Sequence, residues 1–205
     1  MNARAAALVG VAYLLGSISF AVLIVRMRTG RDIRREGSGN AGATNVARSH
    51  GKALGLAVAL LDVAKGAGAV LLMRTVTADP RYAAAAGLAA IVGHVYPIFY
   101  GFRGGKGVAT AIGAFLVLAP LPTLVCAGVF LLVVLVTRYV SLGSILAMVL
   151  LPPVAGGVFH APRPIVAAAA AAAVLIVVKH RENLRRLARG EERRLGSKAP
   201  KEPGA

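Results

Sequence analysis

The sequence is poor in cysteine and in charged residues. Its 205 residues include one cysteine, Cys126, inside an apolar run, which excludes an internal disulfide and a cysteine-based metal site. Only 16% of the residues are charged and 57% are hydrophobic, whereas about 25% of a soluble domain is charged. Acidic residues are the scarcest, with 8 Asp and Glu against 24 Lys and Arg, a net charge of +16. Because this charge lies mostly between apolar stretches, a uniformly basic nucleic-acid module is excluded and a polytopic membrane protein is indicated.

Two catalytic patterns are also missing. The sequence has no Gly-x-Ser-x-Gly nucleophile elbow, and no set of histidines and carboxylates has the spacing of metal ligands. His50 and His160 have no matching partners in the sequence, so neither is assigned a role. A metal site is therefore not predicted.

Six apolar stretches are candidates for membrane spans. They cover residues 5–25, 53–73, 82–100, 107–136, 141–159 and 165–178. The first has 21 uncharged residues, longer than the roughly 7–15 of a cleavable signal, and is interpreted as a retained span. The last is short and alanine-rich, and we expect it to span only when it is packed in a bundle.

The stretch 107–136 is too long for one span. Its 30 residues would form a helix of about 45 Å, and Pro120 disfavours helix at the residue before it. Two helices meeting near Pro120 give seven transmembrane helices. With the N-terminus outside and the C-terminus inside, 19 basic residues are cytoplasmic and four are external, against 10 and 13 without the split. Since cytoplasmic loops carry the basic excess, we predict an all-α fold with seven spans.

Three polar segments then share the cytoplasmic face. Residues 37–48 contain three glycines, two asparagines, a serine, a threonine and an arginine, a set of donors suited to phosphate oxygens; a flexible loop is the alternative. Residues 93–110 place Arg103 and Lys106 among glycines before a helix, where anions bind well. The spacing is not that of a P-loop, and a basic loop on anionic lipid is the alternative.

The third polar segment is 179–187. His180, Asn183 and Leu187 lie on one face if the last helix continues, so the first two are candidates for one site. A juxtamembrane polybasic patch is the alternative. We predict a transmembrane domain over residues 1–189 and a basic, disordered cytoplasmic tail over 190–205.

Two further pairs of polar residues lie within spans. Asp62 and Lys65 are three residues apart on one helix face, where ionisable groups either serve a site or neutralise each other between helices. Ser141 and Ser144 are near the inner end of a span; they either donate to a ligand or fill tight helix contacts.

Together these segments resemble the bacterial acyl-phosphate:glycerol-3-phosphate acyltransferases, the PlsY family. The resemblance covers nearly the whole chain and is carried by residues 13–18, 37–48, 62–66, 93–110, 139–144 and 180–187. Departures are small: Ala41 and Ser19 stand where the family usually has proline, and Arg103 where lysine is common. No histidine is followed by aspartate five residues later, which excludes the His-x4-Asp glycerolipid acyltransferases.

The resemblance implies a seven-helix enzyme of the bacterial inner membrane, working at the first committed step of phospholipid biosynthesis. Its substrates are acyl-phosphate and sn-glycerol 3-phosphate, and its products are lysophosphatidic acid and inorganic phosphate. No metal or organic cofactor is expected. Membrane lipid and a soluble enzyme that makes acyl-phosphate are the implied partners, and nucleic acid is not one.

The site residues expected from the sequence and the resemblance fall into three groups. The catalytic candidates are His180, Asn183, Lys106 and Asn45. The candidates for binding substrate or phosphate are Ser38, Gly39, Asn40, Thr44, Asn45, Arg48, Arg103, Gly104, Gly105, Lys106 and Ser144. The supporting candidates are Asp62, Lys65, His94 and Ser141.

Two other functions compete with the enzyme. A transporter or channel for phosphate-like anions would also need glycines and cations among helices, but transporters usually contain an internal repeat with a mid-membrane site, and no convincing repeat is found. A membrane scaffold with a basic tail would leave the Gly/Asn-rich segment without a purpose.

Overall fold

The computed structural model describes residues 3–196, and all of the regular structure in this range is helical. The ten α-helices of the described chain are α1 Ala3–Gly16, α2 Phe20–Thr29, α3 Ala43–His50, α4 Lys52–Arg74, α5 Pro80–Val95, α6 Val108–Leu118, α7 Pro120–Thr137, α8 Val140–Pro153, α9 Arg163–Lys179 and α10 Arg181–Ala188. Shorter elements are the 3₁₀ turns Ile33–Arg35 and Ile98–Tyr100 and the π-helical turn Val154–Val158. The predicted all-α fold is confirmed.

Several helical segments suit a membrane. Within residues 3–196, five are long and apolar enough to cross it, namely Ala3–Thr29, Lys52–Arg74, Pro80–Tyr100, Pro120–Thr137 and Val140–Val158. The pair α9 and α10, bent by 58°, qualifies as a sixth. Helix α6 is apolar but has only 11 residues, about 16 Å of helix. The count of seven spans and the orientation therefore stay predictions.

The first predicted span, residues 5–25, is broken in the middle. Helix α1 ends at Gly16, and α2 begins at Phe20 with Ser19 as its cap. The ammonium group of Lys65 donates to the carbonyl oxygen of Ile18 at 2.6 Å, satisfying a backbone acceptor that the break leaves free. The segment Ala3–Thr29 still qualifies as one span, but the break inside it was not predicted, because its partner lies far away in the sequence. The break predicted at Pro120 is present, between α6 and α7.

The last helix does not continue into residues 180–187. Helix α9 ends at Lys179, and α10 starts at Arg181 after a bend of 58°. The expected single face for His180, Asn183 and Leu187 is therefore wrong, although His180 and Asn183 are both buried. The first polar segment also differs from a flexible loop, because a 3₁₀ turn precedes it and α3 occupies its second half.

Small residues allow the helices to approach closely at the site end. A Cβ atom on Gly66 of α4 would overlap the backbone of Thr110 in α6, and one on Gly93 of α5 would overlap the backbone of Tyr13 in α1. Such contacts are a main source of helix association in lipid. They hold α4 against α6, and α5 against α1, beneath the polar segments.

Candidate active site

Polar segments from four parts of the chain meet at one end of the bundle. A guanidinium N–H of Arg48 donates to the carbonyl oxygen of Arg193 at 3.2 Å, and the Lys106 ammonium group donates to the side-chain oxygen of Asn183. Arg193 lies just beyond the predicted segment 179–187, so the first contact joins residues 37–48 to the chain that follows this segment, and the second joins residues 93–110 to the segment itself. The start of α8 is the fourth part.

Asn45 holds the first segment in shape. Its side chain is buried, and its NH₂ group donates to the carbonyl oxygens of Ile33, Glu36 and Asn40 at 3.0–3.2 Å. Its own oxygen accepts the N–H of Ser38 at 2.9 Å. Because the loop uses both ends of the amide, Asn45 is a positioning residue for the loop rather than a group that orients substrate directly.

The glycine-rich segment before α6 folds back on the end of α5. The N–H of Gly104 donates to the carbonyl oxygen of Val95 at 3.3 Å, and that of Gly105 donates to His94 at 3.1 Å. Carbonyl groups at a helix end have no partner within the helix, so the loop satisfies them. The fold-back fixes the backbone next to Lys106.

Lys106 is largely buried among other charged groups. Its ammonium group has a pKa lowered to about 8, mainly by burial; the charge of Glu192 opposes this shift, and the charges of Arg186, Arg48 and Lys179 add to it. At neutral pH the group is still charged, but it is poorly hydrated. A buried cation of this kind is stabilised by an anion or by strong acceptors.

Glu192 connects the side chains around Lys106. One carboxylate oxygen accepts from the Ser141 hydroxyl at 2.9 Å and from the Asn183 NH₂ at 2.7 Å, and the other accepts from Arg186 at 2.8 Å. Burial raises the pKa of Glu192, but these hydrogen bonds lower it more, so the net shift is downward and the group is ionised. By occupying the Asn183 NH₂, Glu192 turns the Asn183 oxygen toward Lys106.

Glu192 was not among the predicted site residues. The tail predicted to be disordered over 190–205 is ordered over 190–196, where Glu192 is buried and the N–H of Leu195 donates to the carbonyl oxygen of Arg138 at 2.6 Å. Residues 197–205 lie outside the described part of the chain. The one available signal was acidic charge in an otherwise basic stretch, at Glu191 and Glu192.

Arg48 brings a second cation to the same place. Its Nε atom is buried and has no hydrogen-bond partner among residues 3–196. Burial and the charge of Arg193 lower the pKa of Arg48, and Glu192 partly offsets this; an arginine remains charged regardless. The site thus presents a buried donor that an anion can satisfy.

His180 is buried beside Lys106 as a neutral imidazole. Its Nδ1 atom lies 2.8 Å from the carbonyl oxygen of Ile176, which only accepts, so this chemistry assigns the proton to Nδ1. Burial, followed by the charge of Lys106, lowers the pKa of His180 to about 4. The Nε2 atom therefore carries a lone pair at neutral pH and can accept a hydrogen bond.

Comparison with known proteins identifies the family. The glycerol-3-phosphate acyltransferase family profile matches residues 6–190. The chain belongs to the glycerol-3-phosphate acyltransferase family. Relatives named glycerol-3-phosphate acyltransferase include one from Geobacter sulfurreducens, 50% identical over 92% of this chain and 96% of the relative, and one from Shouchella clausii, 48% identical over 91% and 93%.

Two crystal structures of PlsY (YgiH), an integral membrane glycerol 3-phosphate acyltransferase, are similar to this acyltransferase. The glycerol 3-phosphate form has a TM-score of 0.89 and 42% identity. The lysophosphatidic acid form has a TM-score of 0.85 and 40% identity. Each comparison covers 94% of this chain and 96% of the crystallised chain. The protein is thus an acyltransferase embedded in a membrane.

The remaining predicted residues of this acyltransferase are divided between the site and its surroundings. Ser141 contacts Glu192, whereas the Ser144 hydroxyl donates to the carbonyl oxygen of Val140 at 2.8 Å within α8. Ser144 therefore fills the role of a helix-packing serine. The predicted residues on the accessible side of the site are the exposed Ser38, Gly39 and Arg103 and the half-buried Asn40 and Thr44.

The intramembrane ion pair of Asp62 and Lys65 connects helices of the acyltransferase. Lys65 Nζ lies 2.9 Å from Asp62 Oδ1, and both side chains are buried. Since Lys65 also donates to Ile18, the pair joins α4 to the break between α1 and α2. Among residues 3–196, no group of three or more His, Cys, Asp or Glu is arranged to hold a metal ion.

Replacing Asn45 with alanine is expected to reduce kcat/KM for acyl transfer by about tenfold or more, because the loop it holds loses its geometry. Limited trypsin digestion checks the cause: cleavage after the exposed Arg35 should become faster when the loop loosens. An activity loss at Asn45→Ala with unchanged digestion would instead assign Asn45 a direct contact with substrate.

Proposed function

We propose that the protein transfers a fatty acyl group from acyl-phosphate to the 1-hydroxyl of sn-glycerol 3-phosphate. The bond between the acyl carbon and the phosphate oxygen breaks, an ester bond forms to the glycerol oxygen, and the hydroxyl proton leaves with phosphate. The products are lysophosphatidic acid and inorganic phosphate. The observation that carries the proposal is the cluster of three partly buried cations, Lys106, Arg48 and Arg186, around the buried carboxylate of Glu192.

The charges of this cluster suit two phosphorylated substrates. Lys106 and Arg48 supply fixed cations, and the buried Arg48 Nε is a donor without a partner among residues 3–196. Phosphate oxygens are stronger acceptors than the neutral carbonyl groups around them. Placing the hydroxyl and the acyl carbon side by side can lower the activation free energy by roughly 7–11 kcal/mol. Cations near the departing phosphate stabilise the transition state further.

His180 and a substrate phosphate have different roles toward the proton of the attacking hydroxyl. The neutral imidazole accepts a hydrogen bond at Nε2, which orients the attacking hydroxyl. With a pKa of about 4, His180 is a weaker base than a phosphate dianion, whose second pKa is about 6. The proton therefore ends on a phosphate oxygen, and His180 orients the hydroxyl without keeping the proton. Asn183, held by Glu192, fixes Lys106 beside them.

An apolar cleft beside the site offers a place for the acyl chain. It lies between α6, α7 and α8 and is lined by apolar side chains such as Phe115, Phe130 and Met148. Val108, two residues after Lys106, lines the same cleft. A chain in this cleft would have its carbonyl end near the cations.

The cellular setting is part of the proposal. We propose seven spans, with α6 as a short one, and a site at the cytoplasmic face of the bacterial inner membrane, because the excess of basic residues in the loops favours this orientation. Acyl-phosphate then arrives from a soluble enzyme that makes it, and the product enters phospholipid synthesis. The reaction needs neither a metal nor an organic cofactor, because acyl-phosphate is a mixed anhydride with a good leaving group.

The test uses purified protein in lipid vesicles with palmitoyl-phosphate and glycerol 3-phosphate. We expect release of inorganic phosphate and formation of lysophosphatidic acid in equal amounts, and no product when palmitoyl-CoA replaces palmitoyl-phosphate. Equal turnover with palmitoyl-CoA would contradict the proposal that acyl-phosphate is the donor. Uptake of glycerol 3-phosphate into sealed vesicles without acyl transfer would indicate a transporter instead of an enzyme.

The pH dependence of kcat/KM should follow the protonation state of Lys106. Its pKa of about 8 means that the ammonium group is charged below this pH and neutral above it, so kcat/KM should fall as the pH rises past about 8. His180, with a pKa of about 4, is neutral throughout this range. The matched control is Lys106→Arg, whose guanidinium keeps its charge; whatever activity it retains should show no alkaline fall. A fall of the same shape in Lys106→Arg would contradict the assignment.

A further inference from the structure

His94 lies directly behind the loop that carries Lys106. It belongs to the last turn of α5, its side chain is 6% exposed, and its carbonyl oxygen accepts the N–H of Gly105. A Cβ atom on Gly105 would overlap the Nε2 atom of the imidazole. The ring edge of His94 is therefore packed against the backbone one residue before Lys106.

A buried charged cluster restrains the imidazole from the other side. Its Nδ1 atom lies 3.5 Å from Asp62 Oδ1, and the same oxygen lies 2.9 Å from Lys65 Nζ. The first distance exceeds a normal N–H···O hydrogen bond, so the ring is restrained by packing and by charge. Lys65 in turn is bound to the carbonyl oxygen of Ile18. The chain of contacts runs from the break between α1 and α2, through α4, to the loop.

We propose that His94, restrained by Asp62, is a positioning residue that keeps the glycine loop closed and so keeps Lys106 in place for phosphate. The proposal rests on the proposed function, since it concerns the same phosphate site. His94 acts through Gly105, because its ring contacts the loop backbone and Asp62. Gly104 reinforces the effect, as a Cβ there would overlap the His94 carbonyl group.

A loosened loop has two consequences at Lys106. The ammonium group moves away from the position that faces the substrate phosphate, which lowers affinity. Water also reaches it, and because burial is the main cause of its low pKa, hydration raises that pKa. The other charged groups around Lys106, on α3, α9, α10 and the segment 190–196, are unchanged. A general loss of folding would not produce this second effect.

The experiment compares His94→Ala and His94→Gln with the wild type and with His160→Ala, a matched control at an exposed histidine. Three quantities are measured: kcat and KM for glycerol 3-phosphate, the pH profile of kcat/KM, and the unfolding temperature. We expect His94→Ala to raise KM by about 10- to 100-fold with a smaller change in kcat, and to move the alkaline fall above pH 8. His94→Gln, whose polar side chain has a similar reach, should restore both the KM and the alkaline fall to near their wild-type values.

Two results would overturn the proposal. One is a His94→Ala variant with the KM and the alkaline fall of the wild type. The other is a loss of activity that follows the unfolding temperature, with the pH profile of the remaining activity unchanged. Equilibrium binding of inorganic phosphate separates this proposal from the proposed function: it should weaken in His94→Ala, whereas failure of acyl transfer in the wild type would count against the function alone.

Discussion

Replacing Lys106 with methionine is expected to lower kcat/KM for acyl transfer by about 10²–10³-fold, the loss typical of one preorganised group that stabilises charge in a transition state. Methionine has a similar length and tolerates the buried surroundings of Lys106. The substitution removes the ammonium group that the Asn183 oxygen holds in place. Phosphate release and lysophosphatidic acid formation, measured together, check the result.

The control for this substitution is Lys52→Met. Lys52 is exposed at the start of α4, so the same change there should leave kcat/KM within about twofold, as surface substitutions usually do. Folding of both variants is followed by the reaction of a thiol-specific dye with Cys126, which is the only cysteine and is buried. Near-normal kinetics in a folded Lys106→Met protein would remove Lys106 from the site.

Replacing Glu192 with alanine is expected to destabilise the protein by about 3–5 kcal/mol, the cost of removing one partner from a buried charged network. The protein is destabilised because Arg186, Lys106 and Arg48 lose the anion that they share. We expect a value at the lower end of this range, because Arg186, the ion-pair partner of Glu192, is more than one-third exposed. Dye labelling of Cys126 during heating measures the effect.

Two comparisons make the prediction for Glu192 specific. Glu191→Ala removes an exposed carboxylate from the neighbouring position and should change the unfolding temperature little. Inorganic phosphate should stabilise Glu192→Ala more than the wild type, because an anion that binds the folded state raises its stability. Equal stabilisation of both proteins would mean that the cations around Glu192 do not form an anion site.

Glu192→Gln should also affect the pH profile. The carboxylate raises the pKa of Lys106 against burial and the neighbouring cations. Removing its charge at nearly constant shape therefore lowers that pKa, and the alkaline fall of kcat/KM should begin below pH 8. This direction is opposite to that expected for His94→Ala, so the two substitutions distinguish electrostatic support from physical closure of the loop.

Local chemistry made part of the structure predictable. Pro120 ends one helix and begins the next because proline restricts the residue before it and lacks an N–H, and α6 and α7 meet there. Lys106 and His180 were recognisable because charged and titratable groups next to glycines or at the end of a span are unusual. The structure brings Lys106 and Asn183 into contact although 77 residues separate them.

Other features depended on partners far along the chain. The break after Gly16 has no proline to signal it, and Lys65 supplies the hydrogen bond at Ile18. Asn45 looked like a substrate contact because asparagine is polar and lies between glycines, yet four backbone groups of one loop use its amide. The roles of Ser141 and Ser144 were not distinguishable, since their spacing on one helix does not tell which hydroxyl faces Glu192.

The sequence by itself determined that this is a helical membrane protein with basic, glycine-rich segments, because hydropathy, proline positions and charge are properties of the local chain. Only the tertiary structure decided how those segments act together. Glu192 becomes the centre of the site because the tail folds back on α8 and α10, and His94 reaches the loop because α5 ends beneath it. Such contacts depend on how helices pack in three dimensions, and no local pattern encodes that packing.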